Sequence, residues 1–343
     1  MSSPVITIVG SLNADLVTRT PRFPNPGETI TAHAFSTGCG GKGANQAVAA
    51  ARLSGTPGKQ VGDGFEPPAA EVRMIGAVGQ DQFGTMMLDQ LEEDQIDASG
   101  VLRVKDSTTG TASITVDDSG ENSILVVRGA NGRLPHDRSL LKGDETIVLF
   151  QLEVDIEVVE KNLKAAKQNG AITILNPAPA ARLSDSILSN VDILVFNEHE
   201  MAICGPDPAE LGEDKTQNGA EWFMARGVKY IALTLGSKGS KTWSSNGETF
   251  ESGAGAVEKV VDTTAAGDTW VGAFAVVIAL GAANRKEAGQ AQSINMTTIK
   301  DAVRFAHVAA GKTVERSGAI SSIPQGKEVQ AAYEPILRLL QKS

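Results

Sequence analysis

Short runs of β-branched and aliphatic residues alternate along this chain with apolar patterns of helical period, and that alternation restricts the fold more than any other feature. Strands are predicted at Val5–Val9, Val72–Val78, Thr146–Gln151, Ala171–Leu175, Asp192–Phe196 and Lys229–Leu235. Helices are predicted at Ala44–Leu53, Gln82–Asp94, Ile156–Gln168, Gly219–Arg226, Asp268–Leu280 and Thr297–Val314. Strands and helices in this order imply an α/β fold, a doubly wound, mostly parallel sheet covered on both faces. Ligands of such sheets bind beyond the carboxyl ends of the strands. Two stretches break the rhythm. Pro24–Phe35 and Val101–Val127 are strand-like without helix, and in the second T-A-S-I-T-V alternates before the turn D-D-S-G-E-N. They predict a small antiparallel β lid, formed by about residues 15–38 and 101–128 and inserted in a single domain over 1–343. Ser54–Ala70 is rich in Gly and Pro and lacks periodicity, so it is expected to be an exposed loop and not a domain linker.

Composition removes several function classes. A formal charge of −10, with no block of Lys and Arg, argues against a binder of nucleic-acid backbone. Cys39 and Cys204 are too few and too isolated for a disulfide framework or a zinc site. The first residues, M-S-S-P-V-I-T-I, lack the charged and apolar regions of a signal peptide. No apolar run reaches the roughly 18 residues of a membrane span, and Trp270–Leu280 reads as a buried helix. The expectation is a soluble protein of the cytoplasm, with the nucleus as a further compartment.

Between Val260 and Leu280 a strand-like end runs into the turn T-T-A-A-G and then an apolar helix with Asp268 in its first turn. Ala265, Ala266 and Gly267 are small enough for an anion to approach the backbone, where unpaired N–H groups and the helix dipole attract it. An acid at such a cradle repels the ligand. It makes sense if Asp268 takes a proton from a hydroxyl that attacks a phosphate. The plainer alternative is a helix N-terminal charge.

Other polar clusters fall at strand ends. Asn13 and Asp15, after the first strand, suit a vicinal diol or an ordinary Asx turn. Glu153 follows I-V-L-F-Q-L. Asn197 and Glu200 in N-E-H-E open a helix, either as a cap or as carriers of a hydrated magnesium ion. Thr234-Leu235-Gly236-Ser237-Lys238-Gly239 is a donor-rich loop suited to phosphates or a purine edge. Gly38–Gly43 formally satisfies G-x-G-x-x-G, but the residues before it belong to the expected lid and an irregular loop follows its helix. Close approach to a polyhydroxyl ligand, with Lys42 and Asn45 as donors, is the better use. No Walker A motif occurs.

Together G-G-K-G-A-N-Q-A-V-A-A, L-N-P-A-P-A, N-E-H-E, T-L-G-S-K-G and D-T-T-A-A-G-D-T resemble the ribokinase branch of the PfkB carbohydrate kinase family. The likeness runs from Val5 to about Pro324 in the family's order, and S-L-N-A-D with R-S-G-A-I-S-S-I-P favours that branch. The 54–70 loop is longer than the family's. The resemblance implies ATP-dependent phosphorylation of D-ribose at O5. It makes Asp268 the base, Ala265, Ala266 and Gly267 the anion hole, and Asn13, Asp15, Gly41, Lys42, Asn45 and Glu153 the sugar contacts. Asn197, Thr234, Gly236, Ser237 and Gly239 become nucleotide contacts, with Gly267 beside the phosphates. His307 lies near the adenine in this scheme, or is a satisfied histidine on the last helix. Glu200 would reach Mg2+ through water, and Asp262, Thr264, Thr313, Arg316, Gly318 and Ser322 would surround K+, mostly through carbonyls. The expected partners are D-ribose and ATP, in a homodimer paired through the lid. Another sugar or a nucleoside as acceptor, a non-catalytic sensor and a related glycosidase are the competing readings.

Overall fold

The computed structural model describes residues 3–54, 70–207, 209–287, 294–329 and 331–332. The 54–70 loop of the sequence reading lies almost wholly outside the described residues. The main sheet holds β1 (Val5–Val9), β4 (Glu71–Gly79), β5 (Asp97–Val104), β8 (Ile147–Phe150), β9 (Ile172–Leu175), β10 (Ile193–Asn197), β11 (Tyr230–Thr234), β12 (Ser240–Ser244) and β13 (Thr249–Ser252). The small sheet holds β2 (Asn13–Arg19), β3 (Ala34–Gly40), β6 (Gly110–Val116) and β7 (Asn122–Val127). Helices are α1 (Lys42–Leu53), α2 (Gln82–Glu93), α3 (Ile156–Gln168), α4 (Asp185–Leu188), α5 (Glu198–Cys204), α6 (Lys215–Met224), α7 (Ala266–Glu287) and α8 (Met296–Thr313).

The main sheet runs β13-β12-β11-β10-β9-β8-β1-β4-β5. Every pair from β11 to β5 is parallel, and β12 and β13 add an antiparallel edge. Strand order reverses at β1, which has β4 on one side and β8 on the other, so a crevice opens there beyond the carboxyl ends. Strands buried on both faces explain the continuous aliphatic runs. Ile147 and Leu149 face a core shared with α1, α7 and α8. Val148 and Phe150 face the other core, with α3 and α6.

Helix α7 is long and apolar enough by composition alone to cross a membrane, with hydropathy 1.6, but 78% of that window is buried. It is the core helix, packed between α1 and α8. Its crossing with α1 is close because Gly272 has no side chain. A Cβ there would stand 2.6 Å from Ala49 Cβ and 2.7 Å from Gln46 O.

The small sheet matches the expected lid in kind, with corrections in detail. Its outer pairs, β2·β3 and β6·β7, are antiparallel, while β2 and β6 run parallel. Strand structure in its first half lies at Asn13–Arg19 and Ala34–Gly40, and Pro24–His33 is irregular. Val101–Val104, expected in the lid, belongs to β5 at the edge of the main sheet, where Val101 pairs with Gly76.

Candidate active site

Chain direction brings the polar clusters to one edge. Gly10, Ser11 and Leu12 lead from β1 straight into β2, so Asn13 and Asp15 stand where the two sheets meet. Gly41 caps α1 at φ +89°, and a Cβ on it would lie 2.8 Å from Asn13 N. This left-handed turn fits glycine and lets the start of α1 press on the β1–β2 link. Glu153, just past β8, closes the corner: its Oε2 accepts from Ser11 Oγ at 2.5 Å and from Lys42 N at 2.9 Å. Asn13 is buried, and its Oδ1 accepts from Asn131 Nδ2 at 2.7 Å. Asn131 also exchanges bonds with the backbone of Leu12, at 3.0 and 3.2 Å. A hollow of about 370 Å³ lies here, lined by Asn13, Asn131, Glu153 and Arg128 among others.

Asp268 forms the next wall. It is 7% exposed, with Oδ2 accepting from Asn45 Nδ2 at 2.9 Å and Oδ1 from Gln46 Nε2 at 3.0 Å. Asn45 Oδ1 is buried and has no donor among the described residues. Ala265 adopts φ +58°, the turn that starts α7. The helix start leaves the amides of Ala266, Gly267 and Asp268 without intrahelical acceptors. That of Ala266 reaches Thr263 O at 3.3 Å, which leaves Gly267, exposed in the cleft, and Asp268 as the freer donors. A second hollow of about 230 Å³ is lined by Asp268, Gly267, Ala265, Lys42, Asn176, Asn197, Glu200 and Thr234.

Asp15 is pushed up to about 7 by burial first, then by the charges of Glu153 and Asp268. Lys42 is held protonated: the charge of Asp268 raises its pKa, burial opposes, and Glu153 and Glu200 add to the rise. Lys42, which the resemblance makes a sugar contact, is one of the residues lining the hollow of Gly267 and Asn197.

Asn197 and Glu200 form a complete capping box on α5, with Asn197 N donating to Glu200 Oε2 at 2.9 Å and Glu200 N to Asn197 Oδ1 at 2.8 Å. The capping reading of N-E-H-E is the one observed, and the capped residues also line the hollow. Thr234 ends β11 in the same wall, and Gly236, Ser237 and Gly239 form the turn after it, with φ +58° at Gly236 and +95° at Gly239. His307 is packed inside. Its Nε2 lies 2.8 Å from Ser240 Oγ, its ring meets Trp270 edge-on, and burial lowers its pKa to about 4. The plainer reading of that residue describes its side chain.

Asp262 and the loop after α8 come together beside α7. Asp262 Oδ1 accepts from Thr264 N and Oγ1, at 2.9 and 2.7 Å, and Oδ2 from Gly318 N at 3.0 Å. Burial alone would raise its pKa, but these bonds outweigh it and lower the value. Ser322 lies buried in the same loop. The side chains of Thr313 and Arg316 are engaged elsewhere, with Thr269 Oγ1 and Glu328 respectively.

Sequence reasoning missed Ser11, Gln46, Asn131, Gln151 and Asn176, which hold the named residues in place. Ser11 lies in S-L-N-A-D, Gln46 in G-G-K-G-A-N-Q, Asn176 in L-N-P-A-P-A and Gln151 in I-V-L-F-Q-L, and those positions were the available signal.

Comparison with known proteins gives one answer. The family model of pfkB family carbohydrate kinases matches residues 4–326. A ribokinase of Schizosaccharomyces pombe is 40% identical over 340 residues, covering 96% of this chain and 97% of that protein. A deoxyribokinase of Salmonella typhimurium is 37% identical over 275 residues, 79% of this chain and 84% of that protein. The solved structure of Arabidopsis thaliana ribokinase complexed with ribose and ATP has a TM-score of 0.80 at 30% identity, covering 96% of this chain and 99% of that one. The chain belongs to the pfkB family of carbohydrate kinases, on its ribokinase branch.

Proposed function

We propose that this protein transfers the γ-phosphoryl group of ATP to the 5-hydroxyl of D-ribose, with Asp268 as general base. The reading rests on the placement of Asp268: a buried carboxylate at a helix start, beside the Gly267 amide and Lys42. The sugar occupies the hollow at the sheet junction. Asp15 and the second oxygen of Glu153 accept its hydroxyls, Asn13 offers its amide, and Asn45 Oδ1 gains the donor it lacks.

Asp268 takes the hydroxyl proton as the sugar oxygen bonds to phosphorus and the bond to ADP breaks. The amides of Gly267 and its neighbours, with cationic Lys42, balance the charge that develops on the phosphoryl oxygens. A bound Mg2+ would neutralise nucleotide phosphates; Glu200 fits it, since the capping box uses Oε2 and leaves Oε1 without a donor among the described residues. K+ would be held by carbonyls of the Thr264 and Gly318 segments, which Asp262 joins with its own oxygens. It would stiffen the anion-hole turn from behind. Closure of the small sheet over the sugar would exclude water and suppress ATP hydrolysis. Pairing of two small sheets into a homodimer is supported by their exposed apolar side chains, with Leu125 at 72% and Phe35 at 64%.

The test is ribose-dependent ADP release by wild type and Asp268→Asn. Removing a general base costs about 10²–10⁴ in rate, so the variant is expected to bind both substrates and lose most turnover. A near-normal kcat would remove Asp268 from this role. The Salmonella relative favours one second reading, 2-deoxyribose as acceptor. A panel of ribose, 2-deoxyribose, fructose and adenosine decides it by the ratio of kcat/KM values.

A further inference from the structure

We propose that Gln46 and Gln151 form a buried amide relay that fixes the orientation of the Asp268 carboxylate, which makes Gln46 a positioning residue for phosphoryl transfer. The proposal rests on the reading of Asp268 as base.

Gln46 and Gln151 are both fully buried, Gln46 on α1 and Gln151 just past β8. Gln46 Nε2 donates twice, to Asp268 Oδ1 at 3.0 Å and to Asn176 Oδ1 at 3.1 Å. Its Oε1 accepts from Gln151 Nε2 at 2.6 Å. The sense of this chain is set at its far end. Asn176 Nδ2 donates to Val195 O at 3.0 Å, and a main-chain carbonyl can only accept. Asn176 must therefore offer Oδ1 to Gln46. Turning the Gln46 amide over would set its oxygen against that Oδ1 and a carboxylate, and its N–H2 against the N–H2 of Gln151. Each arrangement but the observed one faces like groups in a dry interior.

Stability does not account for the last link. Gln151 Oε1 is buried without a donor among the described residues, a condition that costs free energy. It lies over Gly10, where a Cβ would stand 2.0 Å from it. An apolar side chain of similar shape would avoid that cost. What the amide supplies is a donor that Gln46 Oε1 cannot refuse, so Gln46 Nε2 is committed to Asp268. With Asn45 on Oδ2 and Gln46 on Oδ1, the carboxylate plane is held from both oxygens. Neither amide N–H2 group can accept a proton, so the one taken from the sugar hydroxyl stays on the carboxylate and does not leak into the relay.

The test uses the full-length enzyme and measures kcat together with separate affinities for ATP and ribose. Gln46→Met keeps length and volume but not the amide. It is expected to lower kcat about 10–10²-fold while both Kd values stay within about threefold, the pattern of lost transition-state alignment. Gln151→Leu is expected to cost about 3–10-fold. The double variant is expected to be no slower than Gln46→Met alone, because Gln151 then has nothing left to orient. Gln46→Glu adds a pH signature: only its protonated carboxyl can donate to Oδ1, so its kcat gains on that of Gln46→Met as pH falls.

A Gln46→Met enzyme within about twofold of wild-type kcat, or one whose Kd values deteriorate in step with kcat, overturns the proposal. So do additive losses in the double variant, or a Gln46→Glu profile parallel to that of Gln46→Met. Asp268→Asn separates the two ideas. If it retains turnover the base reading fails, whereas an inactive Asp268→Asn beside a fully active Gln46→Met defeats the relay alone.

Discussion

Asp15, Glu153 and Asp268 crowd the cleft where the two sheets meet, and Asp15 bears the cost of burial first and then of its two carboxylate neighbours. Its pKa of about 7 stands well above the ordinary 3.8, so near neutrality much of the free enzyme holds it protonated. A protonated Asp15 has lost part of its capacity to accept sugar hydroxyls. The KM for ribose is therefore expected to climb as pH falls below 7, approaching about tenfold per unit, while the KM for ATP stays flat. Steady-state kinetics between pH 5 and 8 check this, and a level ribose KM would show that the ionised form is not needed. Asn13, Asp15 and Asn197 stood out in the sequence as polar residues just past apolar runs, and Asp268 as an acid between a turn of small residues and an apolar helix. The sequence hid Gln46, a helix glutamine that reads as surface until the fold joins it to partners 105, 130 and 222 positions away. Lys42 stood out in G-G-K-G, but which hollow it lines depends on how α1 leaves the Gly41 turn.

At the scale of elements, the site depends on how closely α1 approaches α7. Gly272 sits one turn beyond Asp268, against Ala49 and the Gln46 carbonyl. Gly272→Val would wedge the helices apart, with an expected loss of about 1–3 kcal/mol in denaturant unfolding. It would also lower kcat, since Asn45 and Gln46 withdraw from Asp268. An unchanged unfolding midpoint would show that the crossing tolerates the added bulk. Asp262 acts in the same register, joining the segment before α7 to the loop after α8. Asp262→Ala is expected to weaken activation by potassium, read as the ratio of kcat with and without the ion, and a wild-type ratio would remove the cation from this account. The boundaries of α3 and β1 were readable to the residue because apolar period and burial coincide. Those of α6 were not: it starts at Lys215, capped by Asp214, through polar residues that carry no period.

For the whole molecule, the parallel order of the main sheet was legible in the alternation of strand and helix, and the small sheet only as a departure from it. Its central pairing joins Asn13–Arg19 to Gly110–Val116 in parallel, across a separation that no local pattern announces. Strand β7 is exposed along its whole length, and Ile124, Leu125, Val126 and Val127 form an apolar ribbon. A charge placed there, as in Leu125→Glu, is expected to convert a dimer to a monomer in light scattering while leaving secondary structure intact. A wild-type protein already monomeric at micromolar concentration would end the dimer proposal. The burial of α7 carries a consequence for heat. Asp268 sits in the first turn of the helix that α1 and α8 pack around on one side of the main sheet, with its carboxylate held by Asn45 and Gln46 of α1, so its release is expected to need the loss of that core. Thermal inactivation and thermal melting are expected to follow one curve, and a sample cooled from just below its transition recovers its full rate.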